Sequence, residues 1–583
     1  MFERKGTIIN QQFMKFFLPT VLMTMALSMS IVVDGIIVGN LLGADALAAV
    51  NLVLPVTLLF NAVYVLFGVG GCTLYSVALG RRQKERARQL FTMATLAMAV
   101  VALAVCALGW FLCGGIAEAL TTKAPDLTPL VYDYIKYVML AAPFLILVPG
   151  LVYFVRATGR VKLASSVLIV ANVVNLALDI VYIVCLDAGI SGAALATGTG
   201  YLVGFCMVLY GIITSKQLRF YKLPESTGKM IKEITVVGLP DAINTSLNFF
   251  RLTCINLIVM TYLGSDGVTA FSVCTSCLSI VSMFVGGSAQ TISPLLGTLY
   301  GEEDYAGIRF TIKKALTITG ISTIVLLVIF EAVPGFITGL FGVTDPVQVA
   351  IASEAIRIYA ISLPFMGFLF ISMCVYKIMA RPKISNVIAL LEGFFIVVPA
   401  AWLLGKLIGA TGVWLAFPIG ELLTIAVLLV IIKRIAAKEP ELKGFFLIPD
   451  PQQGRILDVT MIRTIGQATA LSQKAIDFCR ENSVPEVTAN KVGVVLEEMA
   501  VNQINQRTGK KKDCIDVRIM IDNEEICISF RDNGVPANPL EKPVSEDVFE
   551  EIAVARAIAK NIDYDNILGM NCLIARISRK GDQ

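Results

Sequence analysis

Hydropathy along the chain falls into twelve apolar runs, at about 13–38, 47–79, 88–113, 130–156, 163–184, 191–214, 236–263, 267–298, 309–333, 348–378, 384–404 and 411–432. A helix needs roughly 20 such residues to cross a bilayer, so each run predicts a span, and the longer ones predict tilt or extension beyond the lipid. After Lys433 the pattern changes. KRIAAKEPELKGFFLIPDPQQG is charged and then rich in Pro, Gly and Gln. Behind it, amphipathic periods predict helices at about 461–482 and 486–507, strands at about 514–521 and 525–531, a helix at about 546–561 and a strand at about 572–578.

The runs repeat. LGADALAAV at 42–50 returns as LGSDGVTAF at 263–271, an offset of 221 residues. Pro19 and Pro240, Gly80 and Gly301, Arg88 and Arg309, Pro143-Phe144 and Pro364-Phe365, Arg160 and Arg381, and Lys162 and Lys383 keep the same offset. Proline and glycine recur where backbone geometry matters, and basic residues recur where loops meet water, as in a duplicated membrane bundle. The expected fold is therefore an all-α polytopic membrane protein with 12 transmembrane helices in two six-helix repeats, followed by an α/β sandwich. The expected divisions are a first lobe at about 1–215, a linker at 216–235, a second lobe at 236–435, a linker at 436–455 and a soluble domain at 456–583.

Composition sharpens this. Of 583 residues 56% are hydrophobic and 16% charged, and the mean hydropathy is +0.76, which excludes an ordinary soluble enzyme. A net charge of +4 is too small and dispersed for nucleic-acid binding. The basic residues gather in alternate loops: Arg81, Arg82, Lys84, Arg86 and Arg88; Arg156, Arg160 and Lys162; Lys216, Arg219, Lys222, Lys229 and Lys232. The other loops hold little beyond Lys123 and Lys406. The positive-inside rule then places both termini and the central linker in the cytoplasm of a cell-membrane protein, and no cleavable signal peptide is evident. The 13 cysteines lie mostly in apolar runs and read as core residues; no histidine is present.

Chemistry enters with polar residues inside the spans. Asp34 lies in an apolar run, where a carboxylate costs about 2.5–3.5 kcal/mol unless it faces a cavity, a cation or a partner. Its repeat counterpart is Ile255, so the acid belongs to the first lobe alone. In ANVVNLALD the spacing places Asn172, Asn175 and Asp179 near one helix face, and Thr197 adds a hydroxyl on the next span. Two carboxylates, an amide and a hydroxyl can replace the oxygen shell of Na+ or share a proton. The plainer alternative is hydrogen bonding between helices, with Asp179 capping a helix end. The second lobe has Asn244, Asn248, Arg251, Gln290, Glu392 and Glu421. Glu392 sits mid-run, whereas Glu421 reads as near a span end, where snorkelling to the interface and a substrate contact are both open. The glycines at 68, 70, 71, 286 and 287 read as close helix contacts.

VDGIIVG with Asp34, the following LGADALAAV, NVVNLALD and GAALAT stand in an order that resembles the multidrug and toxin extrusion (MATE) transporters over about residues 10–435. The resemblance implies two six-helix lobes and an antiporter that exports small organic, cationic drugs or metabolites against H+ or Na+. It puts Asp34, Asn175, Asp179 and Thr197 at the amino-lobe ion site, and suggests Glu392, with Asn244 and Gln290, as substrate contacts.

In the tail, VVLEEMAVNQIN and FRDNGVP resemble the GHKL ATPase fold, especially anti-sigma-factor serine kinases. That resemblance makes Glu498 a general base, Asn502 the holder of Mg2+ on ATP, and Asp532-x-Gly534 the adenine box. Where that fold has a second glycine box, this chain has Glu551-Ile552-Ala553-Val554, which offers no glycine backbone to phosphates. The tail then reads as a regulator that binds a nucleotide or a cytoplasmic protein partner. Two rival readings remain open: a lipid-linked sugar flippase of the same superfamily, and a membrane sensor or serine kinase. The absence of histidine counts against a histidine kinase.

Overall fold

A computed structural model describes residues 3–122, 124–223, 226–341, 345–449, 455–505, 514–536, 538–541 and 551–579. Lys123 and the beginning of the helix read at 546–561 lie outside these. The chain forms two compact units: Phe16–Glu303 with Ile312–Lys438, and Met1–Lys15 with Asp304–Thr311 and Glu439–Gln583.

The first unit is helical. Among the described residues, eleven helices are long and apolar enough to span a membrane: α1 Thr7–Leu42, α2 Asp45–Gly80, α3 Lys84–Leu120, α4 Pro125–Ala157, α5 Val161–Cys185, α6 Gly189–Ile213, α7 Thr227–Gly264, α8 Asp266–Gly301, α9 Tyr305–Ala332, α11 Pro382–Ile408 and α12 Ala410–Lys438. Between α9 and α11 stands α10, a pair, Pro346–Ala360 and Leu363–Ile378, bent by 45° and counting as a twelfth span if it crosses once. The sequence read 348–378 as one uninterrupted run. Pro364 in the first turn of the second segment explains the bend, because proline lacks the N–H that a continuous helix would use. Its repeat partner Pro143 sits inside an unbroken helix, so the repeats differ here.

Each repeat has its own apolar core. One runs from Met23 to Ile234 and includes Phe91, Phe154 and Ile146; the other runs from Ile255 to Phe417 and includes Phe271 and Trp414. Large apolar side chains also point outward, Phe111 at 82% and Leu407 at 70% exposed, as lipid-facing residues should.

The repeat signals have backbone causes. Gly43 and Gly264 both have positive φ, 89° and 64°, at the turns closing α1 and α7, a conformation that glycine adopts without strain. Gly80 and Gly301 meet each other: a Cβ on Gly80 would strike Thr298 O and Gly301 Cα, and one on Gly301 would strike Val77 O. Two glycines related by the repeat thus form one contact between the repeats. Gly68 closes on Gly150, Gly70 on Gly238, Gly71 on Ala94 and Gly287 on Val21, while Gly286 meets nothing within 4 Å and lines a cavity instead.

The second unit is built on a five-stranded antiparallel sheet. Its strands are β3 Ile456–Ile462, β4 Cys514–Ile521, β5 Glu525–Asp532, β6 Asn561–Ile567 and β7 Met570–Ser578, in the order β3-β4-β5-β7-β6. A small two-stranded ladder of β1 Leu442–Lys443 and β2 Ile448–Pro449 precedes it. Helices α13 Ile465–Glu481, α14 Glu486–Asn505 and α15 Glu551–Ile558 share its core, in which Leu471, Val492, Leu496, Ile528, Phe530 and Ala575 are buried. Two strands correct the sequence reading. The helix expected from 461 begins at Ile465, because Ile456–Ile462 pairs residue for residue with β4, and the helix expected to 561 ends at Ile558, because Asn561–Ile567 pairs with β7. Neither strand declares itself until its partner is present.

This unit also takes in the first residues of the chain. Lys5 N donates to Thr460 Oγ1 at 2.8 Å, Gln12 Nε2 donates to Leu568 O, and Asn533 Nδ2 donates to Gln11 Oε1 at 2.6 Å. Arg4 reaches three acids, Asp304 at 3.2 Å, Asp458 at 3.3 Å and Asp516 at 3.0 Å, and Arg531 pairs with Asp304 at 2.8 Å.

Candidate functional site

α1, α5 and α6 bring four expected residues together. Asn175 and Asp179 are one turn apart on α5 and both buried. With the Asn175 amide turned so that its nitrogen meets acceptors and its oxygen meets donors, Nδ2 donates to Asp34 Oδ2 at 3.2 Å. Oδ1 then accepts from Thr197 Oγ1 at 3.2 Å and from Thr197 N at 3.1 Å. The opposite orientation puts Nδ2 3.4 Å from Asp179 Oδ2. Asn175 therefore meets Thr197 in either orientation, and its amide nitrogen serves Asp34 in the first and Asp179 in the second. Asn172, on the same expected face, donates to Leu168 O within its own helix at 2.7 Å. Asp34 Oδ1 and Asp179 Oδ1 are buried with no protein partner, and neither acid joins an ion pair among the described residues. Two open carboxylate oxygens beside an amide and a hydroxyl can take a proton or one small cation.

Of the second-lobe candidates, Asn244, Asn248, Arg251, Gln290 and Glu392 line two adjoining cavities. One, of about 150 Å³, is lined by Asn244, Asn248, Arg251, Gly286, Phe370 and Glu392, among others. Glu392 sits in a π-helical turn, Leu391–Phe395, within α11, an irregularity often found at functional positions. Arg251 donates to Glu392 O at 3.2 Å and to Asn248 Oδ1 at 2.8 Å, and Glu392 Oε2 has no partner. Glu421 corrects the sequence reading: it is 4% exposed, inside α12, because neighbouring helices cover the face that sequence alone left open to the interface.

The other cavity, of about 200 Å³, shares Asn244, Gly286 and Phe370 with the first and adds Tyr153, Asp241, Gln290 and Lys377. Sequence reasoning missed Asp241 and Lys377, which pair at 2.5 Å, and counted Arg156 among the loop charges. Arg156 instead lies within α4, 1% exposed, and donates to Gln290 Oε1 at 2.7 Å. One signal was available: Arg156 and Lys377 are themselves 221 residues apart.

In the tail, Glu498 and Asn502 lie one turn apart on α14, half-buried and engaged with neighbours. Asp532 Oδ1 accepts from Gly534 N at 2.7 Å and Asn571 Nδ2 at 3.1 Å, and it meets Arg463 at 3.1 Å. An adenine would share this carboxylate with an arginine that already neutralises it. Helix α15 carries no glycine, so the residues present fit ATP and Mg2+ poorly.

A polar cavity lined from both of two repeated helix bundles is the architecture of a membrane transporter. A profile of the MatE family matches residues 19–181 and 240–403, together more than half of the chain, and the chain belongs to that family of transporters. The multidrug export protein MepA of Staphylococcus haemolyticus (strain JCSC1435) is 23% identical over 423 residues, 72% of this chain and 92% of that protein. MepA of Staphylococcus aureus (strain N315) is 24% identical over 421 residues, with the same coverage. Among solved structures, the outward-facing conformation of a multidrug resistance MATE family transporter of the MOP superfamily aligns with a TM-score of 0.69 at 19% identity, covering 74% of this chain and 97% of that one. A MOP superfamily transporter from Pyrococcus furiosus aligns with a TM-score of 0.67 at 18% identity, covering 75% and 99%.

Proposed function

We propose that this protein exports small organic, cationic drugs or metabolites across the cell membrane in exchange for H+ or Na+, with both termini cytoplasmic. The observation that carries the reading is the pair of open, buried oxygens on Asp34 and Asp179, both beside Asn175, which meets Thr197. Ion loading favours one arrangement of the lobes and substrate favours the other, so the gradient drives exchange through the two affinities. Glu392, Asn244 and Gln290, lining the cavities, contact the substrate. The names of the staphylococcal relatives support drug export, and the basic loops support the orientation.

The tail serves as a regulator in this reading, through a partner protein or a weakly held nucleotide, and not as an ATPase. Purified protein in liposomes, given an inward H+ or Na+ gradient and a fluorescent organic cation, tests the transport reading: gradient-dependent movement is expected, and none under either ion overturns it. Nucleotide turnover by the same protein that Glu498→Gln abolishes would overturn the reading of the tail.

A further inference from the structure

Glycine in the interior of a helix is less favourable than alanine, so a buried one points to a contact too close for a Cβ. Gly200 lies one turn after Thr197 on α6 and is buried. A Cβ there would stand 2.4 Å from Ala171 O, 3.0 Å from Asn175 Cβ and 3.1 Å from Asn175 N, all on α5. Ordinary contact needs about 3.5 Å, so α5 and α6 come this close only because the side chain is missing. The close approach falls on the acid-bearing cluster. Across the same seam Asn175 meets Thr197, at 3.2 Å between Nδ2 and Oγ1 in one orientation of the amide, and at 3.2 Å to Oγ1 and 3.1 Å to the backbone N in the other.

The second repeat packs the equivalent helices without such a cluster. Gly420, 220 residues on, is buried on α12, and a Cβ there would stand 2.8 Å from Val397 Cγ2 on α11. That pair closes on an aliphatic side chain instead of an amide, and the residues 221 positions after Asp34 and Asp179 are Ile255 and Ala400. Close packing therefore does not need the polar cluster, but the cluster needs close packing. Relieving the 2.4 Å contact would part the helices by about 1 Å and carry the bonds between Asn175 and Thr197 beyond the roughly 3.5 Å reach of a hydrogen bond. We propose that Gly200 is a positioning residue of the ion site, holding α5 against α6 so that Thr197 fixes Asn175 beside the two carboxylates. The role rests on the ion-exchange reading above and names what shapes its site.

The test reads ion binding and not transport. Full-length protein in detergent is melted across a Na+ titration at constant pH and across a pH series without Na+, since an ion that binds the folded state raises the melting temperature once it exceeds its dissociation constant. The part of the response that Asp34→Asn removes belongs to the cluster. Gly200→Ala should move the midpoint of that part by about tenfold or more in Na+ concentration, or by about one pH unit or more for a proton, the size of one hydrogen bond to a charged group. Gly420→Ala, which crowds the equivalent helices of the other lobe, should lower the melting temperature and leave the midpoint in place. Should Gly200→Ala fail to fold, Gly204→Ala decides the matter: its Cβ would meet Ala171 Cβ at 3.2 Å, a milder intrusion between the same helices one turn on, and a smaller shift is expected. A midpoint that stays in place in whichever of these two variants folds, or that moves equally with Gly420→Ala, overturns the positioning role alone. A parent protein with no response that Asp34→Asn removes overturns the ion site and this role with it.

Discussion

Buried carboxylates are treated in opposite ways in the two units. In the tail unit, Asp304, Asp458, Asp516 and Asp532 each meet an arginine within 3.3 Å. In the first lobe, Asp34 and Asp179 meet none, and each leaves an oxygen open. An ionised acid taken out of water needs a cation. Where the chain supplies one, the charge can be answered within the fold; where it does not, only a proton or cation from solution can answer it. Burial acts on the tail acids too. It would raise Asp304, but Arg4, Arg531 and Arg518 outweigh it and hold that carboxyl well below its ordinary range. At Asp458 burial wins over Arg4 and pushes the carboxyl to about 6.

The contrast can be broken most sharply in the first lobe. Asp34→Asn and Asp179→Asn should each leave the protein folded and inserted while reducing gradient-driven export in liposomes to the rate of empty vesicles. Transport at the parent rate in both would move coupling elsewhere, with Glu392 next to be tested. In the tail the same kind of acid should matter for stability instead. Arg4→Ala takes the arginine from Asp458 and Asp516 and leaves Asp304 with Arg531 alone, and removing one side of a buried pair costs about 3–5 kcal/mol. The expected result is early proteolytic cleavage and a lower denaturant midpoint for the tail strands; an unchanged midpoint would show that the acids are neutralised by other means.

Smaller and pH-dependent is Asp458→Asn. Between the ordinary value of 3.8 and the folded value of about 6, the folded chain keeps a proton that the unfolded chain has released, so Asp458 lowers stability as pH rises through that window. Above it the penalty is complete, at up to about 2–3 kcal/mol. The asparagine variant should therefore melt higher than its parent at pH 7 and at the same temperature at pH 4. A higher melting temperature that persists at pH 4 would show that the gain does not come from the Asp458 charge. Asp304 runs the opposite way, its stabilisation being present at neutral pH and lost as pH falls below the ordinary carboxylate range. The smallest effect is expected at Asp45→Asn: Asp45 is exposed in the turn after Gly43, and export should stay at the parent rate.

Much of the first-lobe cluster was legible before any coordinates. Acids are rare in apolar runs, and the four-residue step from Asn175 to Asp179 fixes a shared helix face, so Asp34, Asn175, Asp179 and Thr197 declared themselves. The same rule over-counted at Asn172, since a helix face is wider than the site it borders and an amide can turn back on its own helix. The second cavity was half legible. Asn244, Asn248, Arg251, Gln290 and Glu392 stood out as polar intruders, but Asp241, Lys377 and Arg156 did not, because a charge near a span end looks the same whether it faces water or a neighbouring helix.

Sequence alone determined the place of the apolar runs, the 221-residue repeat and the acids that cannot rest in lipid, because those follow from bilayer thickness, backbone geometry and the cost of a bare charge. Tertiary structure decided which charges are answered. Asp241 meets Lys377 across 136 positions of sequence, Arg156 meets Gln290 across 134, and Arg4 meets Asp304 across 300. Such meetings depend on which helix faces pack together and which strands pair, and those choices are made by the whole core at once, not by any stretch of the chain.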